Sequence, residues 1–281
     1  VFKPLTMAAV IEEGKAEPGS VLTVPDHLER SGEVINDYYS HDVEPMTLAG
    51  VLAKSSNVGT LLAAERIDKE AFRKYLVDFG LGRRPGLGLP GESAGRLPSG
   101  WADLTRDTIA FGQGVAVSTV QMASAYATIA NGGVRLPARL VDATIDAEGT
   151  ESTLPPGVPV RVVSEETAAA VTLMMEAVMG EDGTGRRASV DGYRVAGKTG
   201  TAQRVDPSCG CYRGYNSSFM GFAPADDPRY VVVVSVLNPR NGNSGGALAG
   251  PVFKDVMGFT LAHLGVAPTG TEAPEIPLFA E

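Results

Sequence analysis

Apolar and polar positions along this chain follow two periods, and the switch between them comes late. In the earlier part the period is helical. Phe72, Tyr75, Leu76 and Phe79 recur at spacings of three and four, which lines them along one helix face. Asp68 precedes that face as an N-cap, and Gly80 follows it as a stop. Pro4 and Gly14 frame a first helix in the same manner, and the stretch from Pro45 to about Lys54 reads as a second. Ser118-Thr119-Val120-Gln121 is a capping-box pattern opening a helix that ends near Asn131-Gly132-Gly133. Ser164 caps another, running through Met174 and Met175 to Gly180, with both methionines as core filling. Then the texture becomes strand-like: Tyr193 to Thr201, Ser217 to Ala223 and Tyr230 to Leu237, with Ala225-Asp226-Asp227-Pro228 turning between the last two. Tyr230 to Val234 is apolar on both faces, so a central position in the sheet is predicted. Pro251 opens a final amphipathic helix ending near Gly265. Val266 to Glu281 is rich in Pro and Thr and reads as a mobile tail. The expected organisation is one α+β domain over residues 1–265, followed by a flexible tail over 266–281.

Length and charge narrow the function. A chain of 281 residues can bury a large core as one domain. A net charge of −9 without a basic stripe excludes nucleic acid as a partner. No apolar run reaches the roughly 18 residues that a membrane span needs. Three His and two Cys offer no metal-site spacing, so neither a metal nor another cofactor is expected. Cys209-Gly210-Cys211 is too close for an easy disulfide, given the usual Cα separation of roughly 4.4–6.8 Å. It has three readings: reduced thiols, a strained and easily reduced bridge, or ligands of an adventitious metal, the last disfavoured by the lack of a nearby His. Its neighbours, Asp206-Pro207-Ser208 and Arg213-Gly214-Tyr215-Asn216, suggest a mobile loop over a cleft mouth.

Three short motifs carry candidate chemistry. Lys198-Thr199-Gly200-Thr201 ends a strand-like run. An ammonium, a hydroxyl and an unobstructed backbone edge there suit an extended peptide ending in a carboxylate. Ser55-Ser56-Asn57 reads either as a helix cap or as a hydroxyl and an amide facing a substrate. Lys3, at a helix start, is either a solvated charge or a base whose pKa is lowered by burial or by a neighbouring cation. Phe111-Gly112-Gln113-Gly114 reads as a structural turn near the cleft.

In this order the three motifs resemble those of the serine penicillin-binding proteins, Ser-x-x-Lys, Ser-x-Asn and Lys-Thr-Gly. Leu89-Pro90-Gly91-Glu92, Phe111 to Gly114, and Gly245-Gly246 leading to Pro251-Val252-Phe253 resemble the class B transpeptidases among them. The likeness runs from Val1 to about His263. It implies the penicillin-binding protein and serine β-lactamase-like fold, an antiparallel sheet flanked by helices with an all-helical subregion. It places the nucleophilic serine three residues before Lys3, one position ahead of Val1, and so outside this sequence, with the domain's two opening strands. The resemblance assigns Lys3, Ser55 and Asn57 to catalysis and Lys198, Thr199, Gly200 and Thr201 to substrate binding. Ser55 would relay a proton to the leaving amine, and the Thr201 N–H would help form an oxyanion hole. A β-lactamase is disfavoured because no Glu-x-x-Leu-Asn lies between Asn57 and Lys198. The excess of Arg over Lys, with abundant Ala, Gly and Val, hints at a GC-rich bacterial genome. The resemblance implies a peptidoglycan D,D-transpeptidase, most like a septal division enzyme. Its partners would be stem peptides, the lipid-linked precursor, β-lactams, a SEDS-family glycosyltransferase and divisome proteins. It would work on the outer face of the cytoplasmic membrane, held by an upstream helix. D,D-carboxypeptidases and β-lactam-sensing receptor domains share the first half of the reaction.

Overall fold

The computed structural model describes residues 1–155, 157–206 and 208–280. Pro156, Pro207 of the expected loop and Glu281 at the end of the expected tail lie outside the described residues. In chain order the elements are α1 (Lys3–Glu12), β1 (Val21–Val24), β2 (His27–Arg30), β3 (Glu33–Asn36), β4 (Glu44–Thr47), α2 (Leu48–Lys54), α3 (Asn57–Ala64), α4 (Lys69–Asp78), α5 (Asp103–Ala110) and α6 (Thr119–Ala130). There follow β5 (Val134–Arg135), β6 (Ala143–Ile145), β7 (Glu151–Thr153), β8 (Val160–Arg161), α7 (Glu165–Ala177), β9 (Ala196–Asp206), β10 (Cys211–Ala223), β11 (Tyr230–Leu237) and α8 (Gly245–His263).

The capped helices form where their signals stand. Asp68 accepts from the N–H groups of Glu70 and Ala71, and Ser118 and Gln121 complete a reciprocal capping box. Ser164 accepts from Thr167 N. The main sheet is antiparallel in the order β11-β10-β9. Along β10, Met220 and Phe222 face the helical core with Leu5, Val51, Phe72, Tyr126 and Met174. Phe219 and Ala223 face a second cluster with Phe253, Met257 and Leu261 of α8. This two-residue alternation buries both faces of β10 and makes it the middle layer.

Three expectations are corrected, and a fourth, the central place of Tyr230 to Leu237, concerns a strand, β11, that pairs with β10 alone among the described residues. It is apolar on both faces because α8 packs on one side and α6 on the other. Pro45 lies in a strand rather than a helix, opposite Thr23, and α2 begins only after Thr47, whose hydroxyl caps Gly50 N. Pro251 sits inside α8; the helix starts at a Ser244 cap, and the two glycines that follow disguised it. Finally, the region after Gln203 is not an irregular loop. β9 and β10 continue as a hairpin arm to Asp206 and Cys211, with an irregular register between Tyr212 and Tyr215.

The tail also departs from expectation at its end. Phe279 forms a bridge with Met46 of β4. Thr47 N donates to Leu278 O, and Ala280 N donates to Pro45 O. Extended backbone beside an open strand edge gains these bonds without needing a helix or a turn.

Candidate active site

α1 is buried on nearly every side, from Lys3 to Val10. A helix apolar all round belongs in a core, and this one carries Lys3 into it. Pro4 occupies the first turn, where a missing N–H costs nothing. Lys3 Nζ bonds the Ser55 carbonyl oxygen and lies 3.2 Å from Ser55 Oγ. Burial lowers the Lys3 pKa to about 7, with the Asp37 carboxylate pulling the other way. A neutral amine is therefore accessible at ordinary pH beside a hydroxyl.

Ser55 ends α2 with φ at 62°, in the left-handed region. A serine held there costs about 1 kcal/mol unless its surroundings fix it. Both sides do so. Its N–H bonds Leu52 O, and the next residue, Ser56, caps α3 through Gly59 N at 2.7 Å. Ser56 is thus the cap that one reading of Ser55-Ser56-Asn57 expects, and the Ser55 hydroxyl faces Lys3. Asn57 Nδ2 donates to Asn36 O at 2.9 Å.

Lys198 is fully buried on β9, and its Nζ donates to the carbonyl and hydroxyl oxygens of Thr199, both at 3.2 Å. Burial first, and Lys3 second, push its pKa well below the ordinary lysine value. Of the two causes the sequence offered for a lowered Lys3 pKa, burial or a neighbouring cation, burial is the dominant one. Gly200 lies against the start of α1. A Cβ there would meet Ser218 Oγ at 2.5 Å and the Val1 nitrogen at 3.1 Å, so no larger residue fits the approach. Val1 N donates to Thr199 O at 3.1 Å. Thr201 Oγ1 accepts from Gly245 N at 3.2 Å, tying the strand to α8. Among the described residues β9 is an outer strand that pairs with β10 alone, and Val1 is the residue that meets it at Thr199 and Gly200.

The structure therefore brings Lys3 against Ser55 and brings Val1 and Lys3 against the Lys198–Gly200 strand. Asn57 stands two residues from Ser55, with its donor turned to Asn36. Gly112, with φ at 93°, packs on Phe2, as the turn reading of Phe111 to Gly114 implies. Gln113 Nε2 donates to Tyr212 OH at 3.2 Å, joining that turn to the hairpin arm. Cys209 and Cys211 are bridged, their Cα atoms 5.2 Å apart because Gly210 turns at φ 64°. The apparent crowding of a one-residue spacing is thus relieved by the backbone.

Sequence reasoning missed Thr184, His41 and Asp37. Thr184 Oγ1 is 2.8 Å from Thr199 Oγ1 and 3.4 Å from Ala53 O, linking β9 to α2. Asp37 accepts from the N–H groups of Asn57 and Val58. A lone Asp in a polar stretch carries no local signal for either contact.

The profile of the penicillin binding protein transpeptidase domain matches residues 1–258. The penicillin-binding protein PbpB of Mycolicibacterium smegmatis is 42% identical, with all of this chain aligned to 45% of that protein. Peptidoglycan D,D-transpeptidase FtsI of Escherichia coli K12 is 36% identical over 95% of this chain and 44% of its own length. The chain thus spans less than half the length of these curated relatives. The crystal structure of penicillin-binding protein 3 from Mycobacterium tuberculosis complexed with aztreonam superposes with a TM-score of 0.91 at 41% identity, over 99% of this chain and 64% of that one. Together with the order and geometry of its three motifs, these matches show that the chain belongs to the penicillin-binding protein transpeptidase domain family.

Proposed function

We propose that this chain is the catalytic part of a peptidoglycan D,D-transpeptidase that forms a serine acyl-enzyme and is a target of β-lactams. The observation that carries this reading is the buried Lys3 amine 3.2 Å from Ser55 Oγ, with Val1 meeting the Lys-Thr-Gly strand. The nucleophile is a serine one position ahead of Val1, one helical turn from Lys3. Neutral Lys3 takes the serine proton as the oxygen attacks the carbonyl of the D-Ala-D-Ala bond. The Thr201 N–H and that of the serine hold the oxyanion. The C–N bond then breaks, Ser55 passes a proton from Lys3 to the departing D-Ala amine, and the serine ester remains. The amine of a neighbouring stem peptide attacks that ester, giving the cross-link and returning the proton to the serine.

In this reading the stem peptide lies along β9 as an added strand. Lys198, buried beneath Thr199, acts on the ligand carboxylate through the Thr199 hydroxyl and its field. Asn57 holds the peptide backbone. The whole protein would work outside the cytoplasmic membrane, anchored upstream and partnered by a SEDS-family glycosyltransferase and divisome proteins, in septal synthesis. Among the described residues no helix is long and apolar enough to cross a membrane.

The test uses protein that includes the upstream serine. Fluorescent penicillin should label it covalently, and Lys3→Ala should abolish labelling while the circular dichroism spectrum stays folded. Undiminished labelling of Lys3→Ala would reject the role of Lys3. A D-Ala-D-Ala ester offered with a D-amino acid acceptor should give mainly the transfer product. Hydrolysis alone would favour a carboxypeptidase, and a stable acyl-enzyme without turnover would favour a sensor.

A further inference from the structure

The turn that presents Ser55 is held by a buried cluster that the reaction above does not use. Asp37 follows β3, and its side chain is 3% exposed. Oδ1 accepts from Asn57 N at 2.5 Å and Val58 N at 3.0 Å; Oδ2 accepts from Ser56 Oγ at 2.6 Å. Three consecutive residues are thus fixed by one carboxylate at the N-terminus of α3, where negative charge is favoured. Ser56 Oγ passes the restraint on by accepting from Gly59 N.

Asp37 is itself held. His41 Nε2 lies 3.2 Å from Asp37 Oδ2, and His41 Nδ1 donates to Asp42 O at 2.6 Å. The Glu44 carboxylate is 3.7 Å from Nδ1, and the Tyr39 ring packs on the imidazole with centroids 5.2 Å apart. Both ring nitrogens face acceptors, which is the arrangement of an imidazolium. The His41 side chain is only 4% exposed.

We propose that Asp37, braced by His41, is a positioning residue that holds Ser55 against Lys3. Ser55 occupies a left-handed conformation that a free serine leaves, and it stays there because α2 fixes it from behind and Asp37 fixes the two residues ahead. The carboxylate also reaches the chemistry electrostatically: it favours the charged form of Lys3 against burial. The charged group acting on Lys3 is Asp37, Lys3 in turn acts on Lys198, and the charged group bonded to Asp37 is His41. This proposal rests on the transpeptidase reading.

The experiment measures the second-order rate of acylation by fluorescent penicillin across the neutral pH range, in protein carrying the upstream serine. Asp37→Asn keeps the shape and one acceptor but loses the charge and the second acceptor. The expected result is a roughly ten- to a hundredfold fall in rate, as a misplaced catalytic group gives. The acid limb of the profile should also move to lower pH, because Lys3 loses the charge that favours its protonated form. Asp68→Asn, the same change at the cap of α4, should leave rate and limb unchanged. A wild-type rate and limb in Asp37→Asn would overturn the proposal, and so would a slower rate with an unmoved limb, which denotes only structural damage. If Asp37→Asn does not fold, His41→Gln decides: a several-fold loss supports the proposal, and none overturns it. Failure of the unmutated protein to acylate would instead reject the transpeptidase reading.

Discussion

Lys3 is a lysine that the fold has placed where its charge is least welcome. Burial brings its pKa to about 7 against an ordinary value of 10.5, so the free base forms near neutrality. Two pH dependences follow with the same sign. Acylation should rise with pH through about 7, as Lys3 loses its proton, and level off above. Stability should also rise from about 7 to about 10.5, because in that window the unfolded chain binds a proton that the folded one has released. Lys198, shifted the same way, adds to the second effect but not to the first. A rate profile flat through neutrality, measured with a β-lactam that carries no group titrating near neutral pH, would show that Lys3 is not the base. At this scale the sequence was informative where motif residues sit in contiguous runs, as at Ser55-Ser56-Asn57 and Lys198-Thr199-Gly200. It was silent on Asp37, whose contact with Asn57 spans 20 positions without any period to betray it.

At the scale of elements, caps decided what could be read. Asp68, Ser118 and Ser164 each satisfy N–H groups a few residues ahead, so their helices were legible from local chemistry alone. Strand pairing was not, because it is settled by distant partners: the hydrophobicity of Tyr230 to Val234 signalled two covered faces, and such a signal does not count paired edges. The hairpin arm of β9 and β10 is the consequential case. Polar residues and Gly suggested a loop, yet Tyr212 and Tyr215 pair with Val205 and Gln203. The Cys209–Cys211 bridge closes only the tip, and so short a loop removes little entropy from the unfolded chain. Reduction should therefore shift the thermal midpoint by no more than about 1–2 °C. It should speed amide exchange from Gln203 to Tyr215, and with it the acylation rate should change, since Tyr212 contacts Gln113. Exchange in that arm unaltered by mild reductant would show that pairing alone orders it.

For the whole molecule, the informative contact joins the far end of the chain to the segment before Ser55. Thr47 is met twice by the C-terminal stretch: its N–H donates to Leu278 O and its hydroxyl to Pro277 O at 2.7 Å. Gly50 lies so close to Leu278 O that an added Cβ would stand 1.8 Å from it. The ring of Phe279 lies 5.6 Å from Lys54 Nζ. The segment thus covers α2 along its length, and α2 ends at Ser55. Ending the chain after Ile276 would expose Thr47 N, Pro45 O and the Gly50 face together. Unmaking a buried hydrogen bond costs about 1–3 kcal/mol, and in a chain of this size each kcal/mol lowers the midpoint by roughly 2–4 °C. A fall of about 4–8 °C is therefore expected, because the hydroxyl of Thr47 remains to cap Gly50 N and water reaches the uncovered edge. Amide exchange should quicken through α2 and into Ser55 and Ser56, and acylation should slow several-fold while α8 stays protected. Equal midpoints for the shortened and complete chains would show that the stretch lies on α2 without holding it. A fall in midpoint with an unchanged acylation rate would show that α2 can loosen at its start without moving Ser55 from Lys3.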